Sequence, residues 1–202
     1  MQKPAIKLSE IIFEICPTCN NHCSYCGSKE VTSIPVDEDR IRKIVDEIAK
    51  YPPAKINISG GDPLLVSYDT HLKIKMVLDK TERTILVNPK SLIKALHIHE
   101  KLDIMGLYDW IGVSINTKEE LDSFRNVFTT YREPTAYSII SKKMTIISNF
   151  NTTNVFMFDE IKRYVEVSEC SWQIQFTMYK DENDEIIPLA LSELDKKYKS
   201  LI

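Results

Sequence analysis

Cys19, Cys23 and Cys26 stand at the spacing C-x-x-x-C-x-x-C within the run Cys16-Pro17-Thr18-Cys19-Asn20-Asn21-His22-Cys23-Ser24-Tyr25-Cys26. Thiolates this close in sequence are soft ligands suited to an iron–sulfur cluster or to zinc. Cys16 brings the run to four thiols in eleven residues, and structural zinc favours four thiolates. Zinc ribbons, however, draw two cysteine pairs from separate turns, roughly 12 to 20 residues apart; here the pairs are three residues apart. A disulfide framework is disfavoured by context, with five cysteines in 202 residues and no apolar leader. Inert thiols are the bland alternative, and Cys16, outside the triplet, reads equally well as a buried small hydrophobe at a strand end. A second run, Lys55-Ile56-Asn57-Ile58-Ser59-Gly60-Gly61-Asp62-Pro63-Leu64-Leu65, reads as a buried strand entering a turn. Paired glycines open backbone conformations closed to other residues and allow close approach to the main chain, while Pro63 fixes the exit. By itself it is also an ordinary strand-to-helix turn.

Together the two runs resemble the radical S-adenosylmethionine (SAM) enzyme family. The resemblance implies that Cys19, Cys23 and Cys26 hold a [4Fe–4S] cluster, and that three thiolates leave one iron open for SAM. It implies that Gly60, Gly61, Asp62 and Pro63 match the family's Gly-Gly-Glu-Pro motif, which contacts the amino group of SAM; Asp62 departs from it by one methylene. Tyr25 falls where the family often has an aromatic near the adenine. Ile111-Gly112-Val113-Ser114-Ile115-Asn116 looks like the family's fourth-strand segment, whose Ser114 and Asn116 would contact the methionine carboxylate or ribose. Asn149 and Met178 are looser matches to cofactor-binding positions. Cluster and SAM then carry the radical chemistry, while the protein binds and orients them. On this basis Gly61→Val is expected to weaken SAM binding and leave the cluster in place.

These residues need a scaffold. Strand-like runs occur at 10–15, 56–59, 84–87, 110–115, 144–148 and 172–178, with helical periodicity between them. The clearest helix lies over 37–51, where Ile41, Ile44, Val45 and Ile48 form one apolar stripe. Leu121, Phe124, Val127 and Phe128 repeat it, as do Phe158, Ile161, Tyr164 and Val165, and Leu191, Leu194, Tyr198 and Leu201 suggest a closing helix. Alternation of this kind predicts an α/β fold of right-handed βαβ units with a parallel sheet. Six units are two short of a full barrel, so the expected architecture is a partial (β/α)6 TIM-like barrel, open on one side, forming a single domain over 1–202. The resemblance, which runs from residue 8 to about 201, implies the same core. Active sites of such barrels gather at the C-terminal ends of the strands. The cluster loop, residues 60–63, Asn88-Pro89, Ser114 and Asn116, Asn149 and Asn151, and Gln175 and Thr177 all fall there, although each alone reads as a turn former or cap.

Composition sets the remaining limits. A net charge of −3 offers no basic footprint for nucleic acid, and no apolar run approaches the roughly 18 to 20 residues of a membrane helix. The expected setting is a reducing cytoplasm. Residues 180–185 read as a solvated loop. His22 reads as a loop residue, His97 and His99 cannot share a helix face at a spacing of two, and His71 is isolated in sequence. No nucleophile–base pair is recognisable. The family resemblance implies reductive cleavage of SAM to a 5′-deoxyadenosyl radical, fed by a reductant such as flavodoxin or ferredoxin. The wide gap of an open six-unit barrel favours a peptide or protein substrate. The alternatives are a small-molecule substrate, or a non-catalytic scaffold in which Cys16, Cys19, Cys23 and Cys26 bind zinc.

Overall fold

The computed structural model describes residues 8–19, 34–96, 98–130, 143–150, 154–168, 170–176, 179–180 and 186–187. Cys23, Cys26, Tyr25, Met178, Asn151, Thr177 and the closing helix expected near the C-terminus lie outside the described residues. Strands and helices alternate as β1 (Glu10–Cys16), α1 (Glu38–Ile48), β2 (Lys55–Gly60), α2 (Tyr68–Val77), β3 (Glu82–Val87), α3 (Pro89–Leu96), α4 (His99–Gly106), β4 (Trp110–Ser114), α5 (Lys118–Thr130), β5 (Met144–Phe150), α6 (Phe158–Ser168) and β6 (Ser171–Phe176). A short antiparallel pair, β7 (Tyr179–Lys180) and β8 (Ile186–Ile187), follows and flanks the polar segment that reads as a loop. The six main strands form one sheet in chain order, with β1 and β6 at its ends; β1–β2, β2–β3 and β5–β6 are parallel. This is the expected open α/β architecture.

The chain divides into two compact units, residues 1–112 and 113–202. In the first, Ile56, Ile58, Ile85, Val87 and Ile111 are buried, because alternate residues of a strand face the helices. Ile41 and Val45 of α1, Ile74 of α2, and Leu92 and Ala95 of α3 close over them. Asp37 caps α1 by accepting from the Arg40 N–H at 2.9 Å. The Glu38 carboxylate then ties α1 to α2, accepting from the Ser67 backbone N–H at 3.0 Å and the Thr70 hydroxyl at 2.6 Å, and from the Ser67 hydroxyl. Arg83 at the base of β3 donates to the Leu78 and Thr81 carbonyls at 2.8 and 3.0 Å, closing the end of α2, and pairs with Asp109. One difference from the sequence expectation is that the third helical segment is two helices. Pro89 starts α3, which ends at Leu96, and α4 begins at His99 with Ile98 in extended backbone as its N-cap.

In the second unit, Val113, Met144, Ile146 and Phe150 are buried with Leu121, Phe124, Phe158 and Ile161. Phe150, Phe158 and Trp172 stack against one another with centroids 5.1 to 6.1 Å apart. No helix among the described residues is long and apolar enough to cross a membrane.

Candidate active site

The end of β1 and the glycine turn after β2 are one construction. Glu14 pairs with Ser59 and Cys16 with Gly60, so β1 spends an extra residue, Ile15, in a bulge. Bulges re-aim side chains. Alternation alone would set Cys16 on the face of Ile12, which is 69% exposed, yet its exposure is 0%. Its thiol donates to the Thr18 carbonyl at 3.2 Å, and burial pushes that thiol above its ordinary range. Beyond the strand, the Gly61 N–H donates to the Cys16 carbonyl at 2.5 Å and the Asp62 N–H to the Thr18 carbonyl at 2.9 Å. The segment leading to Cys19 is thereby fastened to the turn.

This closeness explains the glycines. Gly60 has φ +138°, and a Cβ there would lie 2.3 Å from the Cys16 carbonyl oxygen. A Cβ on Gly61 would lie 2.4 Å from the Thr18 oxygen and 2.8 Å from that of Pro17. Neither position admits a side chain while the backbones keep this contact. The expectation that Gly61→Val spares the cluster is therefore revised: its first collision is with the cysteine segment.

Asp62 is 5% exposed, and both its oxygens are engaged within the chain. Oδ1 accepts from the Leu64 N–H at 3.1 Å, capping the 3-10 turn Pro63–Leu65, and Oδ2 accepts from the Ser91 hydroxyl of α3 at 2.7 Å. The shorter carboxylate thus works as a brace. Three carbonyls after it are also occupied: Asp62 by the Leu65 N–H, Pro63 by the Val66 N–H and by His71, and Leu64 by the Lys101 ammonium. Among the described residues nothing donates to the Gly61 carbonyl, which leaves it an acceptor for an ammonium group.

His71, isolated in sequence, is fully buried in α2. Its Nε2 lies 3.0 Å from the Pro63 oxygen and its Nδ1 2.6 Å from the Tyr108 hydroxyl. A carbonyl only accepts, so Nε2 carries the proton and Nδ1 accepts from Tyr108. Burial, with the Lys101 charge acting in the same direction, pushes the imidazole down to about 4, so it is neutral at neutral pH.

In the second unit, Ser114, Asn116 and Asn149 come together. The Asn116 amide donates to the Ser114 hydroxyl oxygen at 2.7 Å and its Oδ1 accepts from the Asn149 N–H at 2.7 Å. That arrangement leaves the Ser114 O–H as a donor. Two further residues, not singled out from the sequence, hold this group. The Asn154 amide donates to the Asn116 and Asn149 carbonyls at 2.9 and 3.0 Å. Glu120, 3% exposed, accepts from the Asn116 and Thr117 N–H groups at 2.8 and 3.1 Å, while its own N–H reaches the Thr117 hydroxyl at 3.2 Å. This is a capping box at the start of α5, legible as Thr117-x-x-Glu120. Of the other rim residues, Asn88 caps α3 through the Lys90 N–H at 2.8 Å, and Gln175 pairs in register with Asn149.

Comparison with known proteins decides the family: the profile of the radical SAM superfamily matches residues 13–146. This chain belongs to the radical SAM superfamily. The family brings a [4Fe–4S] cluster and SAM as cofactors and makes the chain an enzyme core. The chain is 25% identical to an AdoMet-dependent heme synthase of Methanosarcina barkeri over 198 residues, covering 88% of this chain and 54% of that protein. It is 33% identical to a probable GTP 3′,8-cyclase of Methanococcus maripaludis over 106 residues, 51% of this chain and 35% of that one. Among solved structures, SuiB of Streptococcus suis superposes with a TM-score of 0.66 at 12% identity, over 96% of this chain and 46% of SuiB. SuiB has also been solved with SAM and with its precursor peptide SuiA. The chain therefore spans about half the length of the first two of these proteins it matches, or less.

The donor chemistry fits the cluster. Cys19, half-buried, follows directly on the anchored Thr18, and Cys23 and Cys26 complete three thiols within eight residues of sequence.

Proposed function

We propose that this chain is the catalytic core, as one domain over 1–202, of an enzyme that reductively cleaves SAM and uses the resulting radical to take hydrogen from a peptide or protein. Cys19, Cys23 and Cys26 would hold the cluster, which when bound supplies the electron that splits SAM into methionine and a 5′-deoxyadenosyl radical. That electron would come from a flavodoxin- or ferredoxin-type reductant in a reducing cytoplasm. Gly60, Gly61 and Pro63 would present the Gly61 carbonyl to the SAM ammonium, with Asp62 bracing the turn from within. Ser114, oriented by Asn116 and Asn149, would donate to the carboxylate or ribose, Tyr25 would lie near the adenine, and Met178 is a looser candidate for cofactor binding.

The observation that carries this reading is the double backbone bond from residues 61 and 62 to residues 16 and 18. It supports a site in which the segment leading to Cys19 and the SAM turn are held together, so that cluster and SAM are brought into one fixed geometry. The buried, hydrogen-bonded Cys16 thiol weighs against a four-thiolate zinc scaffold. For the substrate, SuiB's peptide complex supports a peptide, while the names of the heme synthase and the GTP cyclase favour a small molecule as the second reading.

The test is anaerobic reconstitution with iron and sulfide, addition of a strong reductant and SAM, and chromatography of the products. Methionine and 5′-deoxyadenosine are expected, formed slowly without substrate. S-adenosylhomocysteine alone would mean methyl transfer. No product from a fully loaded cluster, or one zinc and no sulfide per chain, would overturn the assignment.

A further inference from the structure

We propose that His71 and Tyr108 are positioning residues for SAM, forming a buried relay that fixes the Pro63 carbonyl and thereby leaves the Gly61 carbonyl as the acceptor the turn presents. The inference rests on the reading of residues 60–63 as the SAM-binding turn.

A turn of three residues has little intrinsic rigidity, and its peptide planes can rotate unless both ends of each are held. Here they are. The Pro63–Leu64 peptide is gripped at its oxygen by the Val66 N–H at 3.2 Å and His71 Nε2 at 3.0 Å, and at its nitrogen by Asp62 Oδ1 at 3.1 Å. His71 fills both lone pairs of that oxygen together with Val66, so the Pro63 carbonyl is not available to a ligand. The imidazole is itself fixed from behind by the Tyr108 hydroxyl at 2.6 Å, with the rings edge to face at 5.7 Å. His71 and Tyr108 are 0% and 1% exposed. A position that only had to fill space would be served by Leu or Phe without the desolvation cost of two ring nitrogens and a hydroxyl. The Lys101 ammonium takes the next carbonyl, that of Leu64. The side chains of α2 and α4 and of Tyr108 thus tie down the carbonyls on the far side of the turn, two and three residues beyond Gly61.

The test is SAM titration of the reconstituted holoprotein, followed by the change SAM produces in the electron paramagnetic resonance spectrum of the reduced cluster, with iron content measured on each variant. His71→Leu should raise the SAM dissociation constant about tenfold or more at unchanged iron content. His71→Gln, whose amide nitrogen reaches the position of Nε2, should stay within about threefold of wild type. Tyr108→Phe, which deletes one oxygen and keeps the ring, should weaken SAM about threefold. A His71→Leu protein that loads iron and binds SAM as wild type does would overturn the relay, and so would a Gln variant as impaired as the Leu one. Should His71→Leu fail to load iron, Tyr108→Phe decides alone, and unchanged affinity there overturns it. A wild-type protein that takes iron but never binds SAM brings down the reading of the turn, and the relay with it; wild-type binding with unaffected variants brings down only the relay.

Discussion

Single residues divide here by whether a thiol or ring is offered outward or used up inside. Cys16 lies only three residues from Cys19, yet the bulge at Ile15 turns it beneath Gly60. Replacement of Cys19, Cys23 or Cys26 by Ala is expected to abolish iron binding, whereas Cys16→Ala should keep iron and lower stability by about 1–2 kcal/mol through lost packing. Iron and acid-labile sulfide analysis of the four variants checks this, and loss of iron in all four would mean a four-thiolate site. His71 yields a pH prediction. Its folded value, about 4, lies below the ordinary 6.5, so the unfolded chain takes up a proton there before the folded chain does. Its contribution to stability is complete above about pH 6.5, declines as pH falls, and is lost below about 4, in total on the order of 3 kcal/mol. Urea denaturation at pH 7 and pH 5 should show a larger loss for wild type than for His71→Gln; equal losses would place the acid sensitivity elsewhere. Why was the cysteine triplet legible in the sequence when His71 was not? Ligands of one cluster can lie in one short loop, but the partners of His71 sit 8 and 37 residues away, and no local pattern encodes such a meeting.

At the scale of elements, the strands and most helices follow from periodicity, since Ile56 and Ile58, or Ile41 and Val45, can be buried on one side only in the expected conformations. The break between α3 and α4 carries no Gly or internal Pro signal in the sequence. The capping box Thr117-x-x-Glu120 was readable, and with it the anchoring of Asn116. Asp62 was not, because its partner Ser91 enters from another helix. The junction of β1 with the turn after β2 gives the element-scale prediction. Gly61→Val should lose iron and SAM binding together, because its side chain strikes the Pro17 and Thr18 carbonyls rather than open space. A variant with full iron content and weakened SAM binding would restore the simpler expectation drawn from the motif.

For the molecule as a whole, fold and family are settled by the ordered βα units and the profile match, while the substrate depends on surfaces beyond them. A peptide or protein substrate labelled with deuterium should pass the label into 5′-deoxyadenosine, detected by mass spectrometry. Transfer only from small molecules, such as tetrapyrroles or nucleotides, would favour the second reading. The fold also bears on how the cluster is acquired. The Thr18 hydroxyl donates to the Ile34 carbonyl, which joins a residue just before Cys19 to one that follows Cys26 in the sequence. A chelating loop with joined ends has already lost much of the freedom that metal binding would otherwise have to remove. On the proposed assignment, this joining lowers the entropic cost of bringing Cys19, Cys23 and Cys26 to one cluster, which favours uptake of the cluster as a unit over capture of iron atoms one at a time.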